Sequence, residues 1–240
     1  MQSISFRSPY FALLESCVPQ LLAGPEARTS RKAVKLAAGQ IGIFGVLGGQ
    51  ADWFTDTSYE EIRANIRRAL ADPTVRTIDL VIDSPGGSTL GLPEAAEAIY
   101  RANRNKPVRS LVTGIAASAG YWLASQGGTI SLTPSGEVGS VGVLDIHTDI
   151  SKALENAGVK VTAVASTKEK IERAPFIALS DEARTHMQAS VGQWYGSFLS
   201  AVRRGRGMRV PNNHDFGGGR MLSSAEALRE GLVDFVGEIQ

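Results

Sequence analysis

Two glycine-bearing turns hold the residues whose types and spacing could do chemistry. Ser84-Pro85-Gly86-Gly87 follows one apolar run, and Gly114-Ile115-Ala116-Ala117-Ser118-Ala119-Gly120 follows another. Turns at the carboxyl ends of strands are where open α/β sheets place their sites. Adjacent glycines permit positive φ and close approach of another chain. Backbone N–H groups exposed there could bind an anion or a developing oxyanion. In the second turn, Ser118 stands among small residues at the start of a helix. A substrate carbonyl would have a free path to its hydroxyl, with the N–H of Ala119 pointing the same way. Each turn also has an ordinary reading, as a tight turn and as an N-cap serine. The serine stretch is not the G-x-S-x-G elbow of α/β-hydrolases.

A serine hydroxyl is a poor nucleophile until a base takes its proton. The chain has three histidines. His147 falls at a presumptive strand end, His186 in a long amphipathic helix and His214 in a polar loop, so all three read as surface or packing residues. The other source of a base is a lysine kept neutral by burial, which can lower its pKa by roughly 3–5. Ser166-Thr167-Lys168-Glu169-Lys170-Ile171 offers two lysines just past a predicted strand. A solvated charged loop is the plain alternative for that stretch.

The elements that must position these residues alternate between strand and helix patterns, which implies a layered α/β domain. Strands are predicted over 41–47, 78–82, 108–113, 130–132, 141–144, 159–164 and 232–236. Ser58 and Glu61 have capping-box spacing. Behind them Ile62, Ile66 and Leu70 fall four apart on one helical face. Further helices are predicted over 93–103 and 149–156. The longest opens at Ser180 with a stripe of Met187, Val191, Trp194, Phe198 and Val202. A second capping box pairs Ser223 with Glu226. Residues 1–38 are irregular in pattern and read as an arm; residues 39–240 read as one domain. The basic cluster Arg203, Arg204, Arg206 and Arg209 reads as a solvated helix end complementing the dipole rather than as a contact to DNA.

Composition narrows the function further. The 240 residues carry a formal charge of +1, which gives no electrostatic reason to expect nucleic acid or an anionic membrane. A hydrophobic fraction of 43% with 20% charged residues suits a soluble globular chain. The single cysteine, Cys17, allows neither an intrachain disulfide nor a cysteine-based zinc site. No signal peptide or transmembrane segment is evident, so the expected location is cytoplasmic.

Taken together, the motifs resemble the serine peptidases of the signal peptide peptidase A family, peptidase family S49, and within it the bacteriophage head proteins. The resemblance runs from about residue 41 to residue 236. Asp83-Ser84-Pro85-Gly86-Gly87 is similar to the family's oxyanion turn and Ser118-Ala119-Gly120-Tyr121 to its nucleophile motif. Gly139-Ser140-Val141-Gly142-Val143 is similar to a third motif, and Lys168-Glu169-Lys170 to the stretch that carries the base. The resemblance implies a Clp/crotonase-like superhelix of ββα units. It implies Ser118 as nucleophile, Lys170 as general base and Ser140 as the group that orients the lysine. The N–H groups of Gly87 and Ala119 would form the oxyanion hole, and Gly86, Thr113 and Ala116 would line the substrate slot.

The function implied is a serine endopeptidase with a Ser-Lys dyad, needing no cofactor or metal. Its substrates would be phage or prophage capsid or scaffold polypeptides, met in the host cytoplasm or the prohead. Half-length members of the family complete the site between subunits, so a homo-oligomer with shared active sites is implied. The alternatives are a non-catalytic structural or scaffold protein of the virion with the same fold, and a crotonase-like acyl-CoA enzyme. Two departures stand out. Ala119-Gly120 replaces a usual pair of glycines, and Lys170-Ile171-Glu172-Arg173-Ala174-Pro175 replaces a Lys-Val-Asp-Gly-Asn-Pro run. Lys168 is the fallback base if that loop shifts by two residues.

Overall fold

Alternating apolar residues in 40–48 bury every second side chain, the signature of a strand with one face on a core. A computed structural model of the chain describes residues 10–13, 36–50 and 55–239. Its elements begin with β1 (Tyr10–Leu13), β2 (Gln40–Gly48), β3 (Thr57–Ser58) and α1 (Tyr59–Ala71). Next come β4 (Ile78–Ser88), α2 (Leu92–Ala102), β5 (Val108–Ala117) and α3 (Ala119–Ala124). Then follow β6 (Thr129–Leu132), β7 (Glu137–Gly139), β8 (Leu144–Asp145) and α4 (Ser151–Asn156). The long α5 (Asp181–Arg206), β9 (Met221–Ser223), α6 (Ser224–Arg229) and β10 (Phe235–Val236) complete the described chain.

The result is a mixed α/β fold built on one sheet. Its main path runs β10-β6-β5-β4-β1-β8. The pairs β2–β4, β4–β5, β5–β6 and β6–β10 are parallel, whereas β1 is antiparallel to both its neighbours. Burial also alternates along the first half of β4, so one face of these strands carries the core: Ile41, Ile43, Leu80, Ile82 and Val112 are buried with Ile62, Ile66 and Ile99 of the covering helices. Fully burying each such side chain contributes about 1.5–3 kcal/mol. Ser58 caps α1 by accepting from the Glu61 N–H, and the Ser223–Glu226 capping box on α6 is closed in both directions. Among the described residues no helix is long and apolar enough to cross a membrane.

Three sequence expectations need correction. The strand expected over 141–144 does not form over 141–143: β7 ends at Gly139 and β8 begins only at Leu144. Ser140 between them has φ 50°, which no strand accommodates. No strand forms over 159–164, where Val159, Val161 and Val164 are exposed. The arginine cluster is not a solvated helix end. Arg206 is fully buried and donates to both carboxylate oxygens of Asp234 at 2.9 Å. Arg209 pairs with Asp234 at 2.8 Å, and Arg204 pairs with Glu97 at 2.7 Å. Of the expected arm, only Tyr10–Leu13 and residues 36–38 are described; Cys17 lies outside the described residues.

Burial would push the Asp234 carboxyl up, but hydrogen bonds from Arg206 and the Ile130 N–H bring it below its ordinary value. Its contribution to stability is therefore present above the unfolded carboxylate pKa and lost as pH falls through the lower folded value. Asp234→Asn leaves the buried Arg206 charge without its counter-ion. It should cost about 3–5 kcal/mol at neutral pH, read by chemical denaturation. The gap to wild type should narrow as the solution is taken to acid. An equal gap at neutral and strongly acid pH would contradict this account.

Candidate active site

The two turns singled out by composition meet at one end of the sheet. β4 and β5 pair in register from Ile78↔Val108 to Ile82↔Val112, then jump to Ser84↔Ala116. β5 thus carries extra residues at its end, and these lift Thr113, Gly114 and Ile115 out of the ladder. The Asp83 carboxylate stabilises the bulge by accepting from the Ile115 N–H at 3.2 Å. A Cβ on Gly114 would lie 2.6 Å from that carboxylate oxygen.

On its other edge β4 also slips, from Phe44↔Asp83 to Val46↔Gly86. The slip falls at Ser84 and Pro85. Proline offers no N–H to a ladder, so a bulge is where a strand tolerates it. The Ser84 hydroxyl fills the gap by donating to the Gly45 carbonyl at 2.7 Å and accepting from the Gly86 N–H at 3.1 Å. Gly86 has φ 99°. Gly87 passes so close to β2 that a Cβ there would lie 1.9 Å from the Leu47 carbonyl oxygen. Tyr59 of α1 donates to the Ser88 carbonyl at 2.6 Å and fixes the end of the turn; its burial pushes the phenol well above its ordinary pKa.

Ser118 lies between β5 and α3 with φ 52° and ψ −118°. A non-glycine residue held there stores strain, which persists only where the surroundings over-determine it. The surroundings are identifiable. The Ser118 N–H donates to the Gly139 carbonyl at 2.8 Å, and its carbonyl accepts from Trp122 at 2.9 Å. Trp122 stacks on Phe198 of α5 with ring centroids 4.6 Å apart. The Tyr121 hydroxyl donates to the Leu232 carbonyl at 2.8 Å. Gly120 packs on Ser84, where a Cβ would lie 3.1 Å from the Ser84 carbonyl oxygen. That contact brings the serine turn against the glycine turn.

The Ser118 side chain is fully buried and its hydroxyl lies 3.3 Å from the Gly142 carbonyl. Ser140 adjoins it in the chain path, since its neighbour Gly139 accepts from the Ser118 N–H. Ser140 is itself strained, and its N–H donates to the Arg220 carbonyl at 2.8 Å. Ala119 opens α3, so its N–H is one of the first-turn donors with no partner inside the helix. The structure therefore brings together Ser118, Ser140, Gly86, Gly87, Ala116 and Ala119, with Thr113 exposed on the bulge.

Lys170 is placed differently. It ends a short 3-10 turn, Lys168–Lys170, and is exposed in the single chain. The apolar cover expected around its amine is absent from the described residues of one chain. Lys168 is also exposed and pairs with Glu182 of α5 at 2.8 Å. The same loop is tied to β8 by an ion pair between Arg173 and Asp145; burial raises the Asp145 pKa against that pull. His147, His186 and His214 contact Ile177, Glu172 and Glu230, respectively. Sequence reasoning missed the bracing roles of Asp83 and Ser84, although both stand in the quoted turn motif. It also missed the Gly142 carbonyl and the Tyr59 hydroxyl, which carry no motif signal of their own.

The site belongs to a mixed α/β protein with a strained serine at a strand-to-helix turn. Residues 101–240 match the family model described as peptidase family S49, and the chain belongs to that family. It is 35% identical over 164 residues to the head-tail preconnector protein GP5 of Enterobacteria phage P21, covering 68% of this chain and 33% of that protein. It is 33% identical over 178 residues to the capsid assembly protease C of Escherichia phage lambda, covering 74% and 40%, respectively. Protease 4 of Salmonella typhi is 34% identical over 178 residues, covering 73% and 28%. The chain thus spans between about a quarter and two fifths of the length of these relatives.

Relief of strain gives a test that does not depend on activity. Ser118→Gly removes the Cβ at a positive φ, and strain at such a residue is worth about 1–3 kcal/mol. The entropy of the unfolded glycine takes back about 0.5–1 kcal/mol of that gain. The variant should unfold at a higher denaturant midpoint than wild type, whereas Ala116→Gly, at a buried position of β5 with ordinary negative φ, should unfold earlier. A lower midpoint for Ser118→Gly would mean that the serine is not strained.

Proposed function

We propose that this chain is a serine endopeptidase in which Ser118 is the nucleophile and Lys170 the general base, acting on capsid or scaffold polypeptides of a phage or prophage. The observation that carries the reading is the position of Ser118: a strained serine, held at the mouth of a helix and packed against a turn of paired glycines. Names of the relatives, among them a capsid assembly protease, support the substrate class. We assign residues 39–240 to one Clp/crotonase-like superhelical domain preceded by an arm, working in the host cytoplasm or the prohead.

The chemistry follows from the groups present. A neutral Lys170 amine takes the proton of the Ser118 hydroxyl as Oγ attacks a peptide carbonyl carbon. The carbonyl electron pair moves onto oxygen, where the N–H groups of Gly87 and Ala119 stabilise it. Each such donor is worth about 2.7–4 kcal/mol in the transition state. The intermediate collapses, the C–N bond breaks, and the leaving amine takes the proton from the lysine. Water, deprotonated by the same amine, then attacks the acyl ester and frees Ser118. Ser140 orients the amine by a hydrogen bond. Gly86, Thr113 and Ala116 line the slot in which the substrate lies extended, bound as an added strand.

This cycle needs a dry amine, and Lys170 of a single chain is exposed. The proposal therefore places Lys170 against the Ser118 of another copy, in a homo-oligomer whose interface supplies the apolar cover. Val159, Val161 and Val164, exposed just ahead of the lysine turn, offer surface for that contact. Activity would then depend on assembly.

Ser118→Ala and Lys170→Ala should each lower kcat/KM on a peptide or capsid-protein substrate by about a thousandfold or more. Mixing the two inactive proteins should restore a measurable fraction, because some interfaces would pair an intact serine with an intact lysine. A Lys170→Ala protein that cleaves like wild type would remove the lysine from the mechanism. Inactivity of the wild-type oligomer, with no labelling of Ser118 by a fluorophosphonate probe, would favour the structural reading instead.

A further inference from the structure

The strand β1 lies where a substrate strand would have to lie. Beyond Ser84, the edge of β4 that faced β5 is vacated, because β5 makes its last β4 pair at Ala116 and turns off into Ser118. The opposite edge of β4 stays occupied by β2 as far as Gly87. β1 takes the vacated edge, pairing antiparallel as Phe11↔Ser88, Ala12↔Gly87 and Leu13↔Gly86. Its own far edge pairs with β8 as Tyr10↔Asp145 and Phe11↔Leu144. β8 begins two residues after Gly142, whose carbonyl the Ser118 hydroxyl faces at 3.3 Å.

The slot thus has two backbone walls. One is the glycine turn, and the other is the strand that follows the Ser118 contact. An extended chain between them gains ladder hydrogen bonds on both sides, next to the serine turn. Ser118 is fully buried in this arrangement. We infer that Tyr10–Leu13 occupies the polypeptide-binding slot of its own chain, so that a peptide substrate binds between β4 and β8 only by displacing it. This rests on the peptidase reading above and adds the identity of the slot, its occupant and the competition between occupant and substrate. A tethered strand competes at an effective concentration on the order of millimolar, so substrates of modest affinity are held off until the strand is drawn away.

Variants at Ala12 in the full-length chain test this, since Ala12 has no part in the proposed chemistry. Glycine weakens a strand and proline removes its N–H from a ladder. The Michaelis constant for a quenched fluorescent peptide should fall from wild type to Ala12→Gly to Ala12→Pro. The last should gain about tenfold in kcat/KM with kcat little changed. Hydrogen exchange at the amides of 87 and 88 should quicken in the same order. The amides of β5 should stay protected, which reports an intact fold. A synthetic peptide of residues 8–15 should inhibit Ala12→Pro competitively and restore protection at 87 and 88.

Unchanged kinetics across the series, in proteins that cleave the peptide, would overturn the inference. So would fast exchange at 87 and 88 in the wild type. Loss of β5 protection in Ala12→Pro transfers the decision to Ala12→Gly. If no form cleaves any peptide while the exchange order holds, the peptidase reading fails and the strand contact stands.

Discussion

The site depends on a disagreement between neighbouring strands. β4 keeps step with β5 for five residue pairs and then loses it between Ile82 and Ser84. A ladder that stayed in register would carry β5 on alongside the glycine turn, and no edge would be left for another strand. Because the register breaks, β5 ends at Ala117 and turns sharply into α3. The break has a cost in lost ladder hydrogen bonds. The Asp83 carboxylate braces the break with β5 and the Ser84 hydroxyl the slip against β2; Gly86 supplies the positive φ, and Gly87 leaves out a side chain that would collide with β2. The turn motif is therefore one mechanical unit.

Strain at Ser118 is the second consequence. The residue is held from three directions: by the Gly139 carbonyl on its N–H, by the first turn of α3 on its carbonyl, and by Gly120 against Ser84. α3 cannot rotate to relieve the strain, because Trp122 is stacked on Phe198 and Tyr121 is bonded to Leu232. The long amphipathic α5 thus acts on the serine through packing alone. Gly205 of α5 comes so near the end of α3 that a Cβ would lie 1.9 Å from the Ser125 carbonyl oxygen. A helix that reads in sequence as a plain covering helix is the clamp on the reactive turn.

Local signals made most of the framework legible. The apolar run at Ile78 marked β4, the Ser58 and Ser223 caps marked α1 and α6, and the glycine and serine turns were visible as composition. What was not legible depends on partners distant in sequence. The valine-rich segment 159–164 has strand propensity, yet that propensity depends on packing against neighbouring strands, and the segment pairs with none among the described residues. Arg206 looked like one more exposed charge until Asp234, 28 residues away, was brought onto it. The Asp83–Ile115 and Ser118–Gly142 contacts span 32 and 24 residues and have no local trace. Burial of a lysine is likewise a property of surroundings, not of the lysine.

On the proposed reading, a lone chain is inactive for two independent physical reasons. Its nucleophile is buried while its own strand fills the slot, and its base stands exposed to solvent. Neither obstacle removes the other. Displacing β1 opens Ser118 but leaves the amine wet, and docking a second copy dries the amine but leaves the slot filled. A substrate strand that competes with β1 gains its binding energy from the same backbone groups of β4 and β8, so the exchange is nearly balanced and small changes in substrate affinity or local concentration tip it. Concentrating chains and substrates together in one shell would meet both conditions at once, which is the physical reason such an arrangement suits proteolysis confined to an assembling particle.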